Sequence, residues 1–313
     1  MFPPPSSSFP EPPRLPKLPN NDGIQRFPHW AMACPWAIWI PTEDRAYAEQ
    51  VAFECWEEVN RIENLLSRFV PSSDIFQINA APGAWIRVAA DTLQCLQFAR
   101  QWHTQTRGAF DITLGSLLEE RRLEDGTIAC VEKSNRVLSG MKQLEIDVEN
   151  LAVRVLSEEV KLDLGAIGKG YALDCCREVL QRWSIENALL HAGQSTVLAI
   201  GNSPQENGWS VELRHPDQES QSPGQVVLRD RAFSASGQLL HGHHIIDPRT
   251  GHSARGKRNA WATATSAARS DAISTAWMVM KIKEIEQFCT QYPDVNAVLL
   301  LDNDEWKTFG SWD

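Results

Sequence analysis

From Met141 onward the chain reads as short strand-like segments with helices inserted among them, and this order constrains the fold more than any other feature. Residues 152–156, 160–164, 188–191, 197–200, 210–214, 226–229, 260–265 and 297–301 are rich in aliphatic and β-branched side chains and are bounded by turn formers. Helices are expected at 170–183, 271–281 and 283–292. Strands that follow strands directly cannot all be joined by crossover helices. The pattern therefore excludes a strictly alternating parallel sheet and points to an α+β fold. No internal repeat is present.

Ahead of this region lie a Trp-rich strand at 36–40 and a helix introduced by Pro41 and Thr42. In that helix Tyr47, Val51, Cys55, Val59, Ile62, Leu66 and Phe69 recur every three or four residues, which places them on one face. A second helix is expected at 91–106, with Leu93, Leu96 and Trp102 inward and Gly108 beyond its end. The charged stretch 118–135 has no pattern and reads as an excursion. Half of the 18 prolines fall in residues 1–28, interleaved with Ser and charge. Such a segment cannot form backbone ladders and reads as a disordered or polyproline-type tail, leaving 29–313 as one domain that begins near Trp30.

The 313 residues suffice to bury a core without staples. A net charge of -10 opposes general attraction to nucleic acid or anionic lipid, so any phosphate must meet a local site. The seven cysteines, at 34, 55, 95, 130, 175, 176 and 289, are scattered and include no CxxC pair. They fit reduced thiols in a cytoplasmic protein. No apolar run reaches the roughly 18 residues of a membrane span, and the N-terminus does not read as a secretory signal.

Four segments carry chemistry. In VKLDLGAIGKGYALDCCREVL at 160–180, a strand delivers Asp163 to a loop with Gly165, Gly168, Lys169 and Gly170, and a helix follows. Glycines there admit close backbone approach, free N–H groups at a helix start attract anions, and Lys169 adds a point charge. The spacing matches neither a Walker loop nor GxGxxG, and a plain strand–turn–helix connection is the alternative. In HGHHIIDPRTGH at 241–252, Asp247-Pro248 with Thr250-Gly251 reads as a tight turn after a strand. Its four histidines invite zinc, but adjacent strand residues such as His243 and His244 point to opposite faces, and a single His acting as general base fits better. In SAARSDAISTAWMVM at 266–280, Asp271 and Thr275 stand four apart at a helix start and share a face. These oxygens suit Mg2+; helix capping by Asp271 is the alternative. GAFDITLGSL at 108–117 embeds Asp111 among apolar residues, as a ligand-bound acid or as an exposed turn acid.

Together, in order and spacing, these segments resemble the FAD:protein FMN transferase (ApbE) family over residues 31–280. LSRFVPSSDIFQIN at 66–79 looks like the family's Ser-Arg-aromatic-x-Pro-x-Ser segment, GAFDITLGSL like GAFDPTVGPL, and LDLGAIGKGYALD like DLGGIAKGYAVD. FSASG at 233–237, HIIDPRTG at 244–251 and SDAISTA at 270–276 follow. The resemblance implies mixed, largely antiparallel sheets with flanking helices around a flavin-nucleotide cleft. It implies cleavage of FAD, attachment of FMN through a phosphoester to a Thr or Ser hydroxyl of an acceptor protein, release of AMP, and dependence on Mg2+. Some members hydrolyse FAD to FMN and AMP instead, and a non-catalytic flavin-binding homologue is a third reading.

Carried over by position, Met32, Phe69, Ala109, Phe110, Asp111, Asp163, Lys169 and Ile246 would hold FAD. The Ala166 carbonyl, Asp271 and Thr275 would hold the metal. His244 is the candidate base for the acceptor hydroxyl, with Asp271 the other catalytic residue. Trp30 and Trp36 are placed to stack on a ring or simply to pack. The chain departs from the family pattern at Met32-Ala33-Cys34 in place of Met-Gly-Thr. It departs again at His191-Ala192-Gly193-Gln194-Ser195 in place of Asn-Ala-Gly-Gly-Asp, which loses an acid near the cleft and adds a histidine. Gln238-Leu239-Leu240 stands where an aromatic residue is common.

Overall fold

The computed structural model describes residues 23–120, 140–193, 195–213, 224–237 and 245–312. Its strands are β1 (Ile24–Ala31), β2 (Cys34–Pro41), β3 (Ile86–Arg87), β4 (Leu144–Asp147), β5 (Ala152–Val155), β6 (Ala188–Ala192), β7 (Thr196–Ile200), β8 (Trp209–Leu213), β9 (Gly224–Leu228), β10 (Arg231–Gly237), β11 (Lys257–Ala264), β12 (Asn296–Leu301) and β13 (Trp306–Phe309). Its helices are α1 (Arg45–Leu66), α2 (Asp74–Ala80), α3 (Ala90–Gln105), α4 (Gly115–Glu120), α5 (Gly168–Arg182), α6 (Ala267–Val279) and α7 (Ile282–Gln291).

Eight strands form one sheet in the order β1-β2-β6-β7-β10-β11-β12-β13, with every neighbouring pair antiparallel. Because side chains alternate between faces, the sheet has two cores. Trp36, Ile38, Leu190, Leu198, Ala232, Ala262 and Leu299 look toward the helices. Ala37, Trp39, Leu189, Val197, Phe233, Trp261 and Leu300 look the other way, where Trp209, Val211, Val226 and Leu228 of the β8–β9 hairpin cover them. A small β3-β5-β4 sheet stands apart. The expected α+β class and largely antiparallel pairing are both present.

Helix α6 lies directly on β10 and β11 because the strand residues beneath it are small. Ala232, Ser234, Ala260 and Ala262 are fully buried there, and the Ser270 hydroxyl donates to the Ala262 carbonyl at 2.7 Å. Helix α5 meets α6 at Gly170, where an added Cβ would run into the Ala267 carbonyl. Only glycine permits this crossing.

Several expectations need correction. The first helix is shorter than its apolar repeat: Tyr47 is 37% exposed, and Phe69 lies beyond the helix end and is 69% exposed. No strand forms at 160–164, where one bridge joins Leu114 to Lys161. The Asn79 side chain serves both main-chain groups of Leu162, at 2.7 and 2.9 Å, in place of a neighbouring strand. Strand β1 starts at Ile24 and carries Pro28, which the proline-rich composition had assigned to the tail. It is an edge strand, where a missing N–H is tolerated. The remaining helices and strands agree to within a few residues. Residues 1–22 and most of 118–135 lie outside the described residues.

Candidate active site

The loop between β5 and α5 is shaped by Asp163. Its Oδ1 accepts from the Gly165 N–H at 2.8 Å, closing a tight turn, and its Oδ2 lies 3.2 Å from Arg68 Nε. Asp163 N–H also donates to the Ile112 carbonyl at 2.7 Å, which binds this loop to the segment containing Asp111. Arg68 is nearly buried, stacks its guanidinium 4.6 Å from the Phe69 ring centre, and reaches Glu119 at 3.3 Å. The exposed Phe69 ring is therefore fixed in orientation although little covers it.

Helix α5 then begins without a side-chain cap of its own. Its Gly170 N–H points instead at Asp271 Oδ2, 3.3 Å away on α6. Lys169 Nζ lies 3.5 Å from the same oxygen and 3.3 Å from the Gly165 carbonyl. Asp271 Oδ1 takes the Thr196 hydroxyl of β7 at 3.3 Å. One turn along α6, the Thr275 hydroxyl sits 3.0 Å from Ser236 of β10 and donates to the Asp271 carbonyl at 3.3 Å. Asp271 is only 3% exposed, and its carboxylate partners all stand at 3.3–3.5 Å.

The converse relation fixes the helices. Asp174 of α5 accepts from Ala267 N–H at 2.8 Å, Ala268 N–H at 2.9 Å and the Ser266 hydroxyl at 2.7 Å, so it caps α6. Burial pushes its carboxyl above the ordinary range against these donors. Each helix thus supplies an acid to the N-terminus of the other, where partial positive charge collects.

The β1–β2 turn closes one wall. Met32 and Ala33 both adopt left-handed backbone, with φ of 49° and 56°, as a two-residue hairpin turn requires. Cys34 Sγ and Lys169 Cδ lie 3.3 and 3.8 Å from where a Cβ on Gly193 would stand, so the turn, Gly193 and Lys169 converge. Burial pushes the Cys34 thiol up to about 11, and the Lys169 charge opposes that rise.

Asp111 is held in a turn by the Thr113 N–H at 2.7 Å and lies 3.4 Å from His103 Nδ1. Ala109 and Phe110 are core residues; Phe110 N–H donates to the Thr106 hydroxyl, and its carbonyl lies 2.9 Å from His103 Nδ1. They wall the segment rather than present polar groups. Ile246 packs against Leu114 of the same segment, and the Arg249 stem lies 3.7 Å from a Cβ position on Gly108. The turn expected at Asp247-Pro248 is present, with Gly251 N–H donating to the Asp247 carbonyl at 2.7 Å.

These elements and their order are those of a known family. The ApbE family model matches residues 32–299. The chain belongs to the ApbE family. An FAD:protein FMN transferase of Klebsiella pneumoniae (strain 342) is 27% identical over 237 residues, 71% of each chain. One of Rhodobacter capsulatus is 28% identical over 248 residues, 74% of this chain and 46% of its own length. The crystal structure of the ApbE protein of Thermotoga maritima superposes with a TM-score of 0.80 at 27% identity, covering 91% of this chain and 97% of that one.

Within this ApbE chain, Lys169, Asp271 and Thr275 lie together, Asp163 joins them through the Gly165 turn, and Ala166 stands in the turn before α5. Met32 reaches the same wall through its turn, while Asp111 and Ile246 lie farther along, beyond Asp163. His244, like His241, His243 and residues 238–240, lies outside the described residues. Among the described residues no cluster of three His, Cys, Asp or Glu side chains is placed to hold a metal. His191 corrects an expectation: strand alternation turns it away from the cleft, onto the face shared with Leu189 and Val197. Trp36 packs in the core, and Trp30 is 40% exposed. Sequence reasoning missed Arg68, Thr196 and Asp174 as positioning residues. The first and last lie inside quoted motifs, whereas nothing in the sequence ties Thr196 to Asp271.

Proposed function

We propose that this chain is an FAD:protein FMN transferase that cleaves FAD, passes FMN to a Thr or Ser hydroxyl of an acceptor protein and releases AMP. The observation that carries this reading is the convergence of Lys169, the glycine-lined start of α5 and Asp271 in an ApbE fold. The positive end of α5 and the Lys169 ammonium form an anion site, and an acid stands beside them. In an acidic protein this supplies the local phosphate site that bulk charge denies. Arg68 steers Asp163, and the exposed Phe69 ring offers an apolar face for an aromatic ring of the nucleotide.

A divalent cation fits the residues present. The Asp271 carboxylate is buried with only long partners, and with the Thr275 hydroxyl and the Ala166 carbonyl it makes a hard-oxygen set suited to Mg2+. When bound, Mg2+ supplies charge neutralisation on the pyrophosphate and the leaving AMP. Thr196 and Ser236 orient Asp271 and Thr275 for that role. His244 is the base for the acceptor hydroxyl, which is a weak nucleophile without one. A reducing, cytoplasmic setting is supported by the described cysteines, all of which are free thiols. No helix among the described residues is long and apolar enough to cross a membrane.

The test is incubation of the protein with FAD and a candidate acceptor, with and without Mg2+, assaying AMP and covalent flavin. Mg2+-dependent AMP release and flavin on the acceptor are expected, and Asp271→Asn should lower the rate by at least a hundredfold. Unchanged AMP release in that variant would remove Asp271 from the reaction. Free FMN without labelled acceptor would mark hydrolysis as the activity.

A further inference from the structure

Asp271 is a buried carboxylate, and the positive charge paired with it among the described residues is Lys169 Nζ, 3.5 Å from Oδ2. A buried acid without a counter-charge is strongly destabilising, and Lys169 supplies that charge from the first turn of α5, where phosphate would bind. Its hold is loose. Among the described residues Nζ otherwise donates only to the Gly165 carbonyl, at 3.3 Å, and the side chain is 21% exposed on a flexible stem.

We infer that Lys169 is an internal counter-cation, occupying in the cation-free protein the charge position on Asp271 that a divalent cation takes, so that cation binding displaces Lys169 toward the nucleotide phosphates. This rests on the metal role proposed for Asp271 and Thr275. Two positive charges cannot share one carboxylate oxygen without repulsion, so the cation's affinity is lowered while Lys169 is in place. A phosphate that draws Lys169 away removes this penalty. By linkage, the cation that frees Lys169 strengthens phosphate binding by the same factor. The Gly170 N–H, also on Oδ2, changes partner in the same movement. Lys169 thereby holds the empty site neutral and makes cation and nucleotide favour each other.

The test uses the full chain and Mn2+ as probe, with free Mn2+ followed by electron paramagnetic resonance and no nucleotide present. Lys169→Met and Lys169→Gln should each bind Mn2+ about tenfold more tightly than the wild type, whereas Lys169→Arg, which keeps the charge, should stay within about twofold; coupling of this size is ordinary for linked sites. In the unmodified sequence, acetylation of Lys169 followed by mass spectrometry should speed up several-fold when Mn2+ is added. If neither neutral variant binds more tightly, or the acetylation rate does not move, the counter-cation role is overturned. Asp271→Asn separates the two ideas: if it binds Mn2+ as the wild type does, the metal assignment itself is wrong.

Discussion

Asp271 and His191 show how much one side chain's surroundings decide. Asp271 sits among donors at 3.3–3.5 Å, long enough to be exchanged for the proposed cation. His191 is equally buried, yet neither ring nitrogen has a hydrogen-bond partner among the described residues. Burial, reinforced by the Arg26 charge, holds its pKa down to about 4. The unfolded chain, with a pKa near 6.5, therefore binds the proton more tightly. Stability is full above about pH 6.5 and falls as pH drops through 4, by roughly 3 kcal/mol if the whole shift is expressed. His191→Leu removes that proton uptake. Its acid-unfolding midpoint, followed by circular dichroism, should move to lower pH, and an unmoved midpoint would show that His191 does not govern acid sensitivity.

At the scale of elements, α6 is tied at both ends by charges that complement its dipole. Asp174 takes the N-terminal groups, and the buried Lys257 ammonium donates to the Met280 carbonyl at 2.6 Å and to the Met278 carbonyl at 3.4 Å, with burial pushing its pKa down to about 8. Asp174→Ala leaves two N–H groups and a hydroxyl without their carboxylate. A loss of about 2 kcal/mol is expected in urea unfolding, at the upper end for a cap. Because Asp174 also sets α6 against α5, the Mg2+ concentration for half-maximal AMP release should rise in the same variant. A stability loss with unchanged Mg2+ dependence would confine Asp174 to a structural part. Helix α3 was legible because its apolar repeat is the face it buries. Strand β10 was not: Arg231–Gly237 is rich in small residues because α6 must approach it, and small residues carry little strand signal.

For the whole molecule, the sheet separates two cores, one under the cleft and one under the β8–β9 hairpin. Trp209 is fully buried in the second, and its indole N–H donates to the Ile200 carbonyl at 3.0 Å. Trp209→Ala should cost roughly 3–5 kcal/mol in chemical denaturation. The Mg2+-dependent AMP release at 25 °C should keep its KM, since the sheet stands between this side chain and the cleft. A raised KM would mean that the sheet transmits strain from one face to the other.

What the sequence determined by itself was the kind of chemistry and the class of fold. Periodicity marks helices and buried strands because burial is written locally, and motif order carries Asp163, Lys169, Asp271 and Thr275 into one family pattern. Tertiary structure alone decided which groups meet. Gly170 had to be glycine because Ala267 lies against it, Thr196 reached Asp271 of α6 from strand β7, and His191 turned away because alternation sent it to the other core. Such pairings depend on how elements cross in space, and no local window of sequence contains that distance.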